Sequence, residues 1–190
     1  FIRRAAGLGK SPTKDDPDQY EHFHYHCDVL IVGGGISGLY AAKLLIKTNL
    51  KILLVEQNSD LGGQYNKNNS NNIYEALIKE LEYKNNKKNL KIIKNSTVFA
   101  YMHSNYLFAC QKINHKKIRQ MIWKIRAKKV VLATGSIERF LTFDNNDRPG
   151  IILANSANKY QNYYSSKDIK NIIVFTNNDT AYETAIDFFN

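Results

Sequence analysis

The stretch Cys27-Asp28-Val29-Leu30-Ile31-Val32-Gly33-Gly34-Gly35-Ile36-Ser37-Gly38 decides the fold, because two hydrophobic periods meet in it across a glycine turn. Asp28 to Val32 is the short, continuous apolar run of a strand buried on both faces. After the glycines, Leu39, Ala42, Leu45 and Ile46 return at helical spacing. Lys51-Ile52-Leu53-Leu54-Val55 is a second apolar run, and it ends at Glu56. A strand, a helix and a strand in that order require a parallel pair, since the helix is the crossover.

The glycines are spaced Gly33-x-Gly35-x-x-Gly38. Such spacing alone is a weak signal; its place between strand and helix, with an acid about 20 residues on, makes it the fingerprint of an adenine dinucleotide site. Gly33 permits the tight turn off the strand, Gly35 lets a pyrophosphate approach the backbone, and Gly38 lets the helix pack on the strands. The amides of the first helical turn, with Gly34, Ile36 and Ser37 in the loop and turn, would then face the phosphates. Glu56, with Gln57 beside it, is placed to accept hydrogen bonds from the adenosine ribose, and its charge disfavours a 2′-phosphate. Leu61-Gly62-Gly63-Gln64 follows, and Gly62 and Gly63 would let that loop pass close to the cofactor.

Further along, Ile73, Leu77, Ile78 and Leu81 mark an amphipathic helix, and Lys91-Ile92-Ile93 a further parallel strand. Thr97 to Tyr101, Tyr106 to Gln111 and Arg119 to Ala127 read as an antiparallel meander, with turns at Ser104-Asn105 and at Asn114 to Lys116. Lys129 to Ala133 returns to the apolar type as a separate strand and leads into Thr134-Gly135. The segment Ala133-Thr134-Gly135 occupies the position of the A-T-G segment of glutathione-reductase-like domains, where the chain returns beside the cofactor. Asn171 to Phe175 reads as a strand feeding a helix from Thr180 to Phe189, the start of a second βα unit. In that unit Thr176, Asn178 and Ala181 stand where the glycines would be, and Asp179 adds a charge that repels phosphate. Expected, then, is an α/β fold: a glutathione-reductase-like Rossmann domain with a parallel sheet and an antiparallel meander, plus the start of a second βα unit. Residues 1–26 are expected to be a linker from an absent upstream domain, 27–165 the dinucleotide domain, and 166–190 the incomplete second unit.

The chain has 190 residues, 27 Lys+Arg against 17 Asp+Glu, and a formal charge of +10. The lysines keep company with asparagines, as in Tyr83 to Lys94, and no Arg-rich patch with interleaved aromatics stands out along the sequence. Nucleic acid is therefore not an expected partner. No apolar run spans a bilayer and no signal-peptide core is present, so the expectation is a cytoplasmic protein with no membrane partner. Cys27 and Cys110 form no C-x-x-C pair, which argues against a redox disulfide or a cysteine-built metal site. His22, His24 and His26 would share one face of a strand and fan outward, so no metal site is expected there. No nucleophile, base or acid pair forms a catalytic constellation, and any chemistry belongs to a cofactor or to residues elsewhere.

Several segments together resemble the alpha subunits of heterotetrameric sarcosine oxidase. They are His26 to Val29 running into Gly33-Gly34-Gly35-Ile36-Ser37-Gly38, Ala133 to Arg139, Asn145 to Gly150, Val174 to Asp179 with Ala181-Tyr182, and the opening Arg3 to Gly9 with Asp16-Pro17-Asp18. The resemblance spans the chain and corresponds to an internal part of that large subunit. It implies an oxidoreductase acting on the CH–NH bond of sarcosine, giving glycine and hydrogen peroxide, with the one-carbon unit passing to tetrahydrofolate as 5,10-methylenetetrahydrofolate. It also implies NAD at Gly33, Gly35, Gly38 and Glu56, FAD on a beta subunit, FMN at the alpha–beta interface, and gamma and delta subunits completing the assembly. Related alpha subunits of proline dehydrogenase, hydrogen cyanide synthase and opine oxidase type leave FAD as the alternative at this site. A non-catalytic nucleotide-binding scaffold is the third reading.

Overall fold

In the computed structural model the described residues are 7, 12–63, 72–86, 89–113, 118–157, 160 and 171–189. Six strands form one mixed sheet in the order β3-β2-β1-β6-β5-β4. They are β1 (Gln19–Val32), β2 (Ile52–Val55), β3 (Leu90–Ile93), β4 (Ser96–Met102), β5 (Tyr106–Lys112) and β6 (Ile118–Leu132). Helices α1 (Ile36–Leu45) and α2 (Asn72–Lys84) follow β1 and β2, and α3 (Thr180–Phe189) lies near the end of the chain.

β1, β2 and β3 pair in parallel, as their apolar runs require, and all four residues of β2 are buried. One core lies on the helix side, where Leu39, Ala42, Leu77 and Leu81 pack on Val29, Ile31, Ile52 and Leu54. The other lies on the meander side, where Leu107, Ala109, Trp123 and Ile125 cover Leu30, Val32, Leu53 and Val55. The α2 stripe is narrower than its spacing suggests: Leu77 and Leu81 are buried, but Ile73, one turn nearer the start, is exposed.

Three sequence expectations are corrected. Residues 19–26 belong to β1 and pair in parallel with β6 from Ile118 to Arg126, so this part of the expected linker is sheet. Arg119–Ala127 and Lys129–Leu132 belong to one strand of 15 residues, Ile118–Leu132, because pairing with β1 continues on both sides of Lys128. Asn171 to Phe175 forms no strand among the described residues, and Ile173 and Phe175 are left exposed. A strand is defined by its hydrogen-bonded neighbour, which apolar composition cannot supply. The helix expected at Thr180 to Phe189 is present as α3, and the turn expected at Asn114 to Lys116 lies outside the described residues.

Near Asp28 both long strands change the face they bury. Before it, Tyr25 and Cys27 point to the meander-side core; after it, Leu30 and Val32 do, while Val29 and Ile31 turn to the helices. β6 changes in step, from Trp123, Ile125 and Ala127 to Val130. The cause is local: the amides of Asp28 and Val29 both donate to the Lys51 carbonyl, at 2.8 and 3.1 Å, as in a β-bulge. The Asp28 carboxylate accepts from the Lys51 amide at 2.7 Å and pairs with the Lys128 ammonium at 2.7 Å, which fixes the bulge against both neighbours. The hydrogen bond from Lys128 holds the Asp28 carboxyl below its ordinary range.

Cys27 ends the first half of β1 in the meander-side core, and burial pushes its thiol pKa up to about 11. At pH 8 about one thiol in a thousand is then ionised. A disulfide reagent added to the native protein should modify Cys110, which is only half-buried, well before Cys27. Equal rates for the two thiols would contradict this placement.

Candidate dinucleotide site

The site forms where the carboxyl ends of β1, β2 and β6 meet. The Gly33 amide donates to the Val55 carbonyl at 2.8 Å, and the Ala133 amide donates to the Val32 carbonyl at 2.8 Å. Gly33 has φ +106°, and a Cβ there would lie 2.2 Å from the Ala133 carbonyl oxygen. Its glycine is demanded by the returning strand as much as by the turn.

Gly38 sits in the first turn of α1, and a Cβ on it would lie 1.9 Å from the Gly33 carbonyl oxygen. Helix and strand end therefore touch backbone to backbone. Gly35 is different. It caps α1 with extended backbone, φ −71° and ψ −179°, and a Cβ on it would meet only the Gly63 Cα at 3.9 Å. Sterics inside the protein do not require glycine there. What it leaves clear is a cradle in front of the first turn of α1, which carries no acidic residue and no side-chain cap. The orphan amides of that turn point to an anion by geometry and by the helix dipole.

Glu56 follows β2 directly and is buried, with a relative exposure of 5%. Its Oε2 accepts from the Gly34 amide at 2.6 Å and its Oε1 from the Asn58 amide at 2.7 Å. A carboxylate has room for about four donors, so two hydroxyl groups can still be accepted. Gly34 is glycine because a Cβ would come within 2.9 Å of Glu56 Oε2 and 2.7 Å of Leu61 Cδ2.

Gly62 and Gly63 lie directly over the first glycine loop. The Gly62 amide donates to the Gly34 carbonyl at 2.8 Å, and a Cβ on Gly63 would be 3.1 Å from the Gly35 Cα. Both have positive φ, +113° and +65°. The structure thus brings together Gly33, Gly34, Gly35, Gly38, Glu56, Gly62, Gly63 and Ala133, with Ile36 and Ser37 in the α1 turn and Thr134 next to Gly33. Gln57, next to Glu56, and Gly135, next to Thr134, are exposed. Asn58, whose amide orients Glu56, and buried Leu61, which packs at Gly34, were not legible as site residues: one acts through its backbone, the other as an ordinary apolar side chain.

Residues 31–79 match the family described as an NAD(P)-binding Rossmann-like domain. The alpha subunit of sarcosine oxidase from Corynebacterium sp. strain U-96 is 35% identical over 193 residues, covering 93% of this chain and 20% of that protein. The alpha subunit from Rhizobium meliloti strain 1021 is 33% identical over 196 residues, covering 97% of this chain and 20% of that one. Both of these relatives are sarcosine oxidase alpha subunits. The chain spans about a fifth of their length. Among solved structures, L-proline dehydrogenase from P. horikoshii superposes with a TM-score of 0.56 at 29% identity, covering 79% of this chain and 30% of that one. The sarcosine oxidase alpha-subunit likeness and the Rossmann-like match meet on the same residues, since 31–79 contains the glycine loop, Glu56 and Gly62-Gly63. The relatives are oxidoreductases, and those named alpha are subunits of larger assemblies.

At the other end of the chain, Thr176 Oγ1 accepts from the Asn178 amide at 3.2 Å and donates to the Asn178 carbonyl at 2.8 Å. The turn before α3 is closed on itself by a side chain, where the first glycine loop is open. Among the described residues no helix is long and apolar enough to cross a membrane. His22, His24 and His26 do lie on one strand, exposed, and no group of three metal-ligating side chains is found among the described residues.

Proposed function

We propose that this chain is the NAD-binding part of a sarcosine oxidase alpha subunit, within an assembly that demethylates sarcosine oxidatively to glycine. The observation that carries the reading is the cradle at Gly35: a glycine with no internal steric need, in front of an uncapped helix and beside a buried, oriented carboxylate. The residues fit the group. The α1 amides at Gly35 to Gly38 would hold the pyrophosphate, Glu56 the ribose hydroxyls, and Gly62, Gly63 and Ala133 to Gly135 would wall the site, with Gln57 at its rim. Bound NAD would supply a two-electron hydride acceptor. The chain's own residues bind and orient it; none is placed as a general acid, base or nucleophile. Amine oxidation, the FMN at an interface with a beta subunit, hydrogen peroxide release and formation of 5,10-methylenetetrahydrofolate belong, in this reading, to the rest of the assembly with beta, gamma and delta partners. Residues 166–190 begin a second unit that holds no nucleotide, and the protein works in the cytoplasm.

FAD at the same cradle, in a proline dehydrogenase type of subunit, is the second reading. Its support is the superposition on L-proline dehydrogenase. Chromatography of the nucleotide released by denaturing the full-length subunit separates the two: NAD supports the first reading, FAD the second, and neither defeats both.

Glu56 sets a specificity that can be measured. A 2′-phosphate would be desolvated against a buried carboxylate that both backbone donors hold in place, so NAD should bind about 100-fold more tightly than NADP. Glu56→Ala should narrow that ratio to about tenfold or less. Titration of the unmodified subunit with both nucleotides is decisive, since equal affinities would remove Glu56 from the ribose.

A further inference from the structure

The outer face of the meander collects features that are scattered along the sequence. Leu107, Ala109 and Ile125 are buried in the meander-side core, so their neighbours Tyr106, Phe108, Lys124 and Arg126 point the other way. Register places Tyr106 beside Arg126 and Arg126 beside His26, and Phe108 beside Lys124 and Lys124 beside His24. The side chains meet: Phe99 and Phe108 rings lie 6.1 Å apart, Tyr106 and Phe108 rings 4.8 Å, and the Arg126 guanidinium sits 4.5 Å over the Tyr106 ring. Phe99 is 59% exposed and Met102 55%. β4, β5 and β6 contain no Asp or Glu, although the chain has 17. On β1 the one carboxylate before the bulge, Glu21, alternates with His22, His24 and His26 and so belongs to the opposite face.

We propose that this face, centred on Phe99, Tyr106, Phe108 and Arg126, docks a carboxylate-rich surface of another protein chain. Aromatic residues, Met and Arg in the middle are the composition of an interface core. The fixed charges at its centre are Lys124 and Arg126, the nearby Asp28 carboxylate is already paired with Lys128, and this excess of cation selects an acidic partner. A second copy of the same face would set cation against cation. A nucleic acid strand would need open ring faces for its bases, but Tyr106 is covered by Arg126 and meets Phe108 at 61°, edge to face. The proposal is independent of the glycine loop and Glu56.

The test uses the full-length polypeptide, isolated by a tag together with whatever it holds, and a zero-length carbodiimide that joins amines to touching carboxylates. Peptide mapping should find Lys124 joined to an Asp or Glu of a different polypeptide. Arg126→Glu and, separately, Lys124→Glu should each weaken retention of that polypeptide about tenfold or more on gel filtration, while dinucleotide released on denaturation stays as in the unmodified protein. The unchanged dinucleotide distinguishes a lost partner from a lost fold. Lys124 joined only to its own chain or to a second copy, or full retention of the partner by both variants, would overturn the proposal. So would tight binding of a fluorescent oligothymidylate that both variants abolish, which would assign the face to nucleic acid.

Discussion

Gly35→Val in the full-length subunit is expected to fold and to come off the column without its dinucleotide. The Cβ at this position meets nothing closer than the Gly63 Cα at 3.9 Å, and the backbone is extended, so a β-branched residue is accommodated. The cost to folding is that of a poorer helix cap, about 1 kcal/mol. The cost to binding is larger, because the isopropyl group fills the cradle and holds the pyrophosphate away from the α1 amides. A loss of about 100-fold in affinity, or ~3 kcal/mol, is expected. Thermal unfolding and the nucleotide content of the same preparation measure the two effects separately. Normal nucleotide content in a well-folded variant would place the site elsewhere.

Gly38→Ala should fail in the opposite way. Its Cβ would lie 1.9 Å from the Gly33 carbonyl oxygen and 3.1 Å from the carbonyl carbon, both backbone. Relief requires α1 to move off β1, opening the helix-side core around Leu39 and Ala42. A destabilisation of roughly 3 kcal/mol or more is expected, with insoluble or protease-sensitive protein as the outcome. An Ala variant with an unchanged melting temperature would show that helix and strand are not in backbone contact. The two substitutions in one motif thus separate the glycine that serves a ligand from the glycine that serves packing.

That separation could not be read from the spacing, which treats the glycines as one fingerprint. The fold itself was more legible. Val29–Val32, Ile52–Val55 and Ile92-Ile93 are continuous apolar runs because those strands are buried on both faces, and the glycine turn dictated their parallel order. The first half of β1 was not legible. His22 to His26 alternates histidine and aromatic residues on a ribbon with solvent at its edge, and the bulge at Asp28 shifts the buried phase between the two halves. β6 reads as two strands for the same reason, since its phase shifts at Lys128. The bulge depends on the Lys51 carbonyl and the Lys128 ammonium, both distant in sequence. The meander's outer face is not legible in the sequence because Phe99, Phe108 and Arg126 become neighbours only through strand register.

The central claim is that one adenine dinucleotide lies over the first glycine loop. A crystal structure of the full-length subunit soaked with NAD tests it most directly. Expected are pyrophosphate density on the amides of Gly35 to Gly38, a ribose against Glu56, and no phosphate over Thr176 to Asp179, where the Thr176 hydroxyl already closes the turn. A dinucleotide phosphate over Thr176 to Asp179, or a bare loop at Gly33 to Gly38, would contradict it.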